Sequence, residues 1–157
     1  MLDNCRTAKD RWGGVSEMID RWLRERQDLI VTYCDIIRTT DFRDAETARY
    51  RLGRFCEIMV DYVSAGHFEI YDQLIEEARD FDDGGLDLAN RVYPRLTAIT
   101  EYLLGFNDRF DESEAREEEQ EVLYSELSTV GERLEERFEM EDLMIEALHN
   151  AHADQVA

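Results

Sequence analysis

This 157-residue chain has a single proline, Pro94, and a single lysine, Lys9. With so little proline, almost nothing interrupts long helices. With one lysine among many arginines, Schiff-base chemistry and a phosphate-cradling P-loop are excluded as themes. The three cysteines, Cys5, Cys34 and Cys56, are an odd set without Cys-x-x-Cys spacing. They fit inert thiols in a reducing compartment, and hence a cytoplasmic protein, better than a disulfide frame or a zinc site. No apolar run approaches the roughly 20 residues that span a bilayer, so no membrane association is expected.

Acid is what the chain has in excess. It carries 38 Asp and Glu against 18 Lys and Arg, a net charge of −20. Phosphate backbones are held by cations that displace counterions, so direct nucleic-acid binding is not expected. A protein with a basic nucleic-acid-binding surface would instead be drawn to this one by charge complementarity. Solubility alone also accounts for a surplus of charge.

Apolar residues recur at helical spacing almost throughout. A short leading helix over 2–11 is stopped by Gly13-Gly14, and Ser16 caps a long helix to about Arg38 with stripe Ile19, Trp22, Leu29, Tyr33 and Ile36/Ile37. Thr39-Thr40-Asp41 reads as a loop. A second helix runs from about Asp44 to Ala65 on Leu52, Phe55/Cys56, Met59 and Val63. It continues or kinks after Gly66 through Phe68, Tyr71, Leu74/Ile75 and Ala78. Asp82-Asp83-Gly84-Gly85 reads as a loop, 86–92 as a short helical piece, and Pro94 as the first turn of the next helix. Asp111–Glu121 reads as an acidic turn before a last helix on Leu123, Leu127, Val130, Leu134, Phe138, Ile145 and Leu148. The expectation is an all-α fold, an antiparallel four-helix bundle with short accessory helices. It is expected to form one domain over 1–157, with about 1–15 and 150–157 peripheral.

Some residues break this pattern. Glycine inside a helix costs about 1 kcal/mol relative to alanine, so Gly66 needs a packing or functional reason. Arg26, His67 and Glu141 sit on otherwise apolar faces. An unpaired charge in a core costs several kcal/mol, so the three are expected to meet in a buried polar network, whether for function or only to fix helix register. Asp61, two residues from both Met59 and Val63, is expected to face outward.

The chemistry of an enzyme finds little support. Di-iron bundles need two Glu-x-x-His pairs, and only Glu146-Ala147-Leu148-His149 has that spacing. No metal site, cofactor or catalytic residue is therefore expected. A phosphoryl-accepting His67 would want cations nearby, and no lysine is near it. There is no Gly-x-Ser-x-Gly elbow and no glycine-rich loop opening a helix.

Several segments point one way when taken as a set. They are Asp20-Arg21-Trp22-Leu23 with Arg26 and Tyr33, Phe55-Cys56, Val60-Asp61-Tyr62, Ser64-Ala65-Gly66-His67-Phe68, Ile70-Tyr71, Pro94, Arg137-Phe138 and Glu141-Asp142. In this order and spacing the chain resembles the Rsd/AlgQ family, bacterial regulators that bind the primary sigma factor of RNA polymerase. The resemblance implies an all-α bundle and an anti-sigma factor, not an enzyme. Its partner would be sigma region 4, the helix-turn-helix domain that reads the −35 element, kept from both DNA and core polymerase. The resemblance also implies that Asp61 contacts the partner, with Asp20, Arg21 and Arg24 as further contacts. The alternative is a helical-bundle adaptor for a different signalling or metabolic-sensor protein.

Overall fold

The computed structural model describes residues 8–38, 45–81, 84–112 and 122–155. Among them are α1 (Ala8–Arg38), α2 (Ala45–Ala65), a π-helical turn (Gly66–Ile70), α3 (Tyr71–Phe81), α4 (Gly85–Glu112) and α5 (Leu127–Leu148), then a 3-10 turn (Asn150–Gln155). The described residues hold no strand, and none of their helices is long and apolar enough to cross a membrane. The fold is an all-α helical bundle.

Cross-helix contacts set the directions. Trp22 of α1 meets Tyr62 of α2, and Tyr33 meets Phe55, so these helices run antiparallel. Arg95 pairs with Glu136 and Arg109 with Glu126, which sets α4 against α5. Arg26 reaches Asp142 while Tyr33 reaches the Leu127 carbonyl, which sets α1 against α5. Because α2, the π turn and α3 follow without a break, four long rods alternate up and down. Leu29, Leu52, Phe55, Met59, Leu74 and Leu103 lie fully buried between them.

Three local expectations need correction. α1 runs straight through Gly13-Gly14 instead of starting after them. The two glycines cost about 1 kcal/mol each. Trp12 offsets this by stacking on His149 at 4.3 Å and donating to its carbonyl at 3.0 Å. Pro94 lies inside an unbroken α4, not at its start. Asn90, whose carbonyl loses its partner, lies with Pro94 on the exposed side, where water can take the missing N–H's place. Within 150–157, expected to be peripheral, His152 is fully buried and stacks on Phe81 at 3.8 Å. The loop at Thr39-Thr40-Asp41 and the acidic stretch over 113–121 lie outside the described residues.

The π turn is the distinctive local feature. Tyr62 and Tyr71 would stand about 180° apart on an uninterrupted helix. One extra residue in the turn brings them to within about 80°, so both rings enter the core. The shift also turns Ile70 inward and leaves Phe68, expected in the apolar stripe, 69% exposed. Two carbonyls just before the turn accept side-chain donors, Tyr62 O from Trp22 Nε1 and Val63 O from Arg137 Nη2, both at 3.0 Å.

Gly66 is required by close approach. A Cβ there would lie 2.8 Å from Trp22 Cζ2 and 3.0 Å from Arg137 Nη2. Gly66→Ala is therefore expected to destabilise by about 1–3 kcal/mol in urea unfolding, against the usual gain for this exchange in a helix. Gly13→Ala, whose Cβ meets nothing within 4 Å, serves as the control and is expected to stabilise. Equal gains from both would refute the packing role of Gly66.

Candidate functional site

Glu141 is 1% exposed and accepts from three helices at once. Its Oε1 takes the Tyr62 hydroxyl at 2.6 Å and Arg26 Nη2 at 3.3 Å. Its Oε2 takes the Tyr71 hydroxyl at 2.5 Å and faces Arg137 Nη1 at 3.4 Å in an ion pair. Arg26 Nε donates to the Tyr62 oxygen at 2.9 Å and Nη1 to Asp142 Oδ1 at 2.5 Å. Aromatic rings complete the shell. Arg26 lies over Phe138 at 4.7 Å, and Arg137 sits against Tyr62 and Tyr71 at 5.5 and 5.4 Å. Burial and then the Glu141 charge push both phenols well above the ordinary tyrosine range, so they remain donors. Burial works against the Arg26 cation. The neighbouring Tyr62, the Asp142 hydrogen bond and the Glu141 charge outweigh it and raise its pKa.

Arg26 and Glu141 are thus brought together, but His67 is not with them. The π turn aims its half-buried ring at Tyr93, on which it stacks at 5.8 Å, with the edge of Tyr71 6.3 Å away. Its Nδ1 makes no hydrogen bond among the described residues. Tyr62, Tyr71, Arg137 and Asp142 fill the network instead. The Glu146/His149 spacing does not mark a shared site either. His149 Nδ1 lies 2.8 Å from Glu77 Oε2, while exposed Glu146 accepts from Asn150 Nδ2 at 3.2 Å. No group of three or more His, Cys, Asp or Glu side chains suited to a metal ion occurs among the described residues.

The outer face is acidic. Asp61, next to buried Tyr62, is exposed, as are Asp20, Arg21 and Arg24 on α1. Helical spacing puts Arg21, Glu25 and Asp28 on one flank of α1, while Asp20 and Arg24 turn away from Glu25 by about 100° or more. Glu25 faces α2: its Oε1 is buried without a hydrogen-bond partner among the described residues. Partial burial, then the charges of Asp61 and Asp28, raise its pKa above the ordinary carboxylate range. The two helices therefore hold like charges together, with no hydrogen bond to Glu25 Oε1 among the described residues. Asp61 also lines a groove of about 760 Å³ between α2 and α4.

The inner and outer clusters make different predictions. Glu141→Ala leaves the buried Arg137 guanidinium without its carboxylate and Arg26 with Asp142 alone, and is expected to cost about 3–5 kcal/mol in chemical denaturation. His67→Phe, outside the network, is expected to cost far less; equal losses would place His67 back in it. Glu25 is the reverse case. A carboxyl whose folded pKa is raised favours folding when protonated, and that contribution is lost as pH rises through the folded value. Glu25→Gln is therefore expected to raise the melting temperature at about pH 7 and change it little near pH 4. A gain confined to acid pH would contradict the like-charge cluster.

The chain is similar in sequence to known proteins. Residues 1–149 match the family model described as "Regulator of RNA polymerase sigma(70) subunit, Rsd/AlgQ". The chain is 34% identical over 148 residues to the "Regulator of sigma D" of Yersinia enterocolitica, covering 93% of this chain and 89% of that one. The protein of the same name from Yersinia pseudotuberculosis is also 34% identical, covering 93% and 88%. That from an Enterobacter species is 31% identical over 147 residues, covering 92% and 88%. With a family match over nearly its whole length and relatives of this identity, the chain belongs to the Rsd/AlgQ family of regulators of the RNA polymerase sigma(70) subunit.

Proposed function

We propose that this chain is an anti-sigma factor that binds region 4 of the primary sigma factor. Binding covers the surfaces with which region 4 contacts −35 DNA and core polymerase, and involves no catalysis. Beyond family membership, the observation that carries this reading is the crowded acidic face of Asp61, Glu25 and Asp28. A helix-turn-helix that grips phosphates presents cations. An arginine of such a partner placed at Asp61 forms charge-assisted hydrogen bonds and relieves the repulsion on Glu25. Arg21 borders the same flank and can pair with a partner carboxylate. Asp20 and Arg24 point further round α1 and serve as outer contacts. The net charge of −20 adds long-range steering toward a basic surface.

Titration calorimetry against isolated sigma region 4 tests this reading. Asp61→Ala is expected to weaken binding by about 10-fold or more, the cost of one charge-assisted hydrogen bond, with a melting temperature that is not lowered, since its repulsion of Glu25 is removed. Wild-type affinity is expected to fall as salt rises, since exposed charges are screened beyond about 8 Å at physiological ionic strength. Unchanged affinity in Asp61→Ala would remove Asp61 from the interface. Absence of binding by the wild-type chain would remove the proposed function itself.

A further inference from the structure

We propose that Phe68 is the apolar anchor of the same interface, seated on an apolar part of sigma region 4 while Asp61 takes one of its cations. This rests on the sigma-factor reading above. The π turn rotates Ile70 into the core and leaves the Phe68 ring 69% exposed. Inside the bundle that turn serves Tyr62 and Tyr71, which reach Glu141 because of it. A small or polar side chain at position 68 would serve the turn equally well, so the internal packing does not account for a large ring there.

The ring is braced from below. It meets His67 edge to face at 5.0 Å, and His67 in turn stacks on Tyr93 of α4 at 5.8 Å. A side chain held in this way has little freedom left to lose when a partner covers it.

Phe68 and Asp61 belong to one surface. Seven residues of helix are about 10 Å long and end close to the direction in which they began. The extra residue of the π turn moves Phe68 from that line by less than about 100°. Ser64 and Ala65, both small and half-buried, lie between the two and leave them reachable together. An interface of ordinary size, roughly 800 Å² on each side, covers both.

The rim selects the occupant. Glu69 and Asp72 are exposed on the same rod, just after the ring, as Asp61 is before it. None of these three carboxylates pairs with a cation among the described residues. An apolar ring within an unpaired acidic rim fits a partner that is basic around an apolar patch. Region 4 in the proposed role combines the two: cations that grip DNA, and a surface for core polymerase with the apolar centre of a protein interface. A second copy of this chain, or an anionic membrane, would bring like charge to the rim of a molecule of charge −20.

Calorimetry of the full chain against isolated region 4, at low and at high sodium chloride, tests the anchor. Phe68→Ala is expected to weaken binding by about 10-fold or more at both salt concentrations, because burial of an apolar ring is not screened. The loss in Asp61→Ala is expected to shrink at high salt. Phe68→Leu keeps an apolar side chain and is expected to bind more tightly than Phe68→Ala. Both Phe68 variants are expected to melt like the wild type, since the ring lies outside the packed core. Wild-type affinity in Phe68→Ala beside weakened binding in Asp61→Ala would overturn the anchor and leave the sigma reading standing. A loss in Phe68→Ala that fades with salt, or equal losses in Phe68→Leu and Phe68→Ala, would overturn its apolar role. A dimer of the free chain that Phe68→Ala disperses would show a second copy as the occupant and overturn the proposal. Failure of the wild-type chain to bind region 4 would overturn both proposals.

Discussion

The buried carboxylate of Glu141 is the constraint around which the bundle is built. Ionised in a core, it costs several kcal/mol unless its lone pairs are filled. Filling them requires Arg26 from α1, Tyr62 from α2, Tyr71 from α3 and Arg137 one turn back on α5. Tyr62 and Tyr71 can both arrive only because the π turn lies between them. That turn in turn needs Gly66, where Trp22 and Arg137 leave no room for a side chain. One acid on α5 thus ties together α1, α2 and α3 across the π turn that joins the last two.

The inner network also sets the outer face. Tyr62 and Asp61 are neighbours on α2, as Arg26 and Glu25 are on α1. Anchoring Tyr62 and Arg26 to Glu141 fixes the rotation of both helices, and the adjacent carboxylates are then presented at a fixed separation. Rigid support of this kind lets a charged surface bind a partner without first paying to order itself. The repulsion felt by Glu25 is the counterpart: it persists in the free protein and is available to be relieved by a partner's cation.

Much of this could be read from residue spacing. The stripes Leu52, Phe55/Cys56, Met59 and Val63 on α2, and Leu127, Val130, Leu134 and Leu148 on α5, are buried as their periodicity implies. Arg26 and Glu141 stood out because they interrupt such stripes, and Asp61 because it lies off one. The π turn left no such mark. An extra residue in one turn changes the phase of everything after it, so His67 was aligned with Val63 when Gly66 and Ile70 face inward instead. Tyr71 belongs to the stripe after Gly66, but its meeting with Tyr62 is hidden for the same reason, since the two stand on opposite sides of an ideal helix. Gly13-Gly14 and Pro94 misled differently. The glycine penalty is outweighed by a contact distant in sequence, Trp12 on His149, and Pro94 is tolerated because it lies on the exposed side of α4, neither of which a short window contains.

In the proposed anti-sigma role this acidic face takes the place of DNA on sigma region 4. It is tested most directly by competition, with region 4 pre-bound to a fluorescent −35 duplex and titrated with the wild-type chain. The DNA anisotropy is expected to fall to that of free duplex, with the chain and region 4 recovered together. A rise in anisotropy, from a complex of chain, region 4 and DNA together, would contradict it.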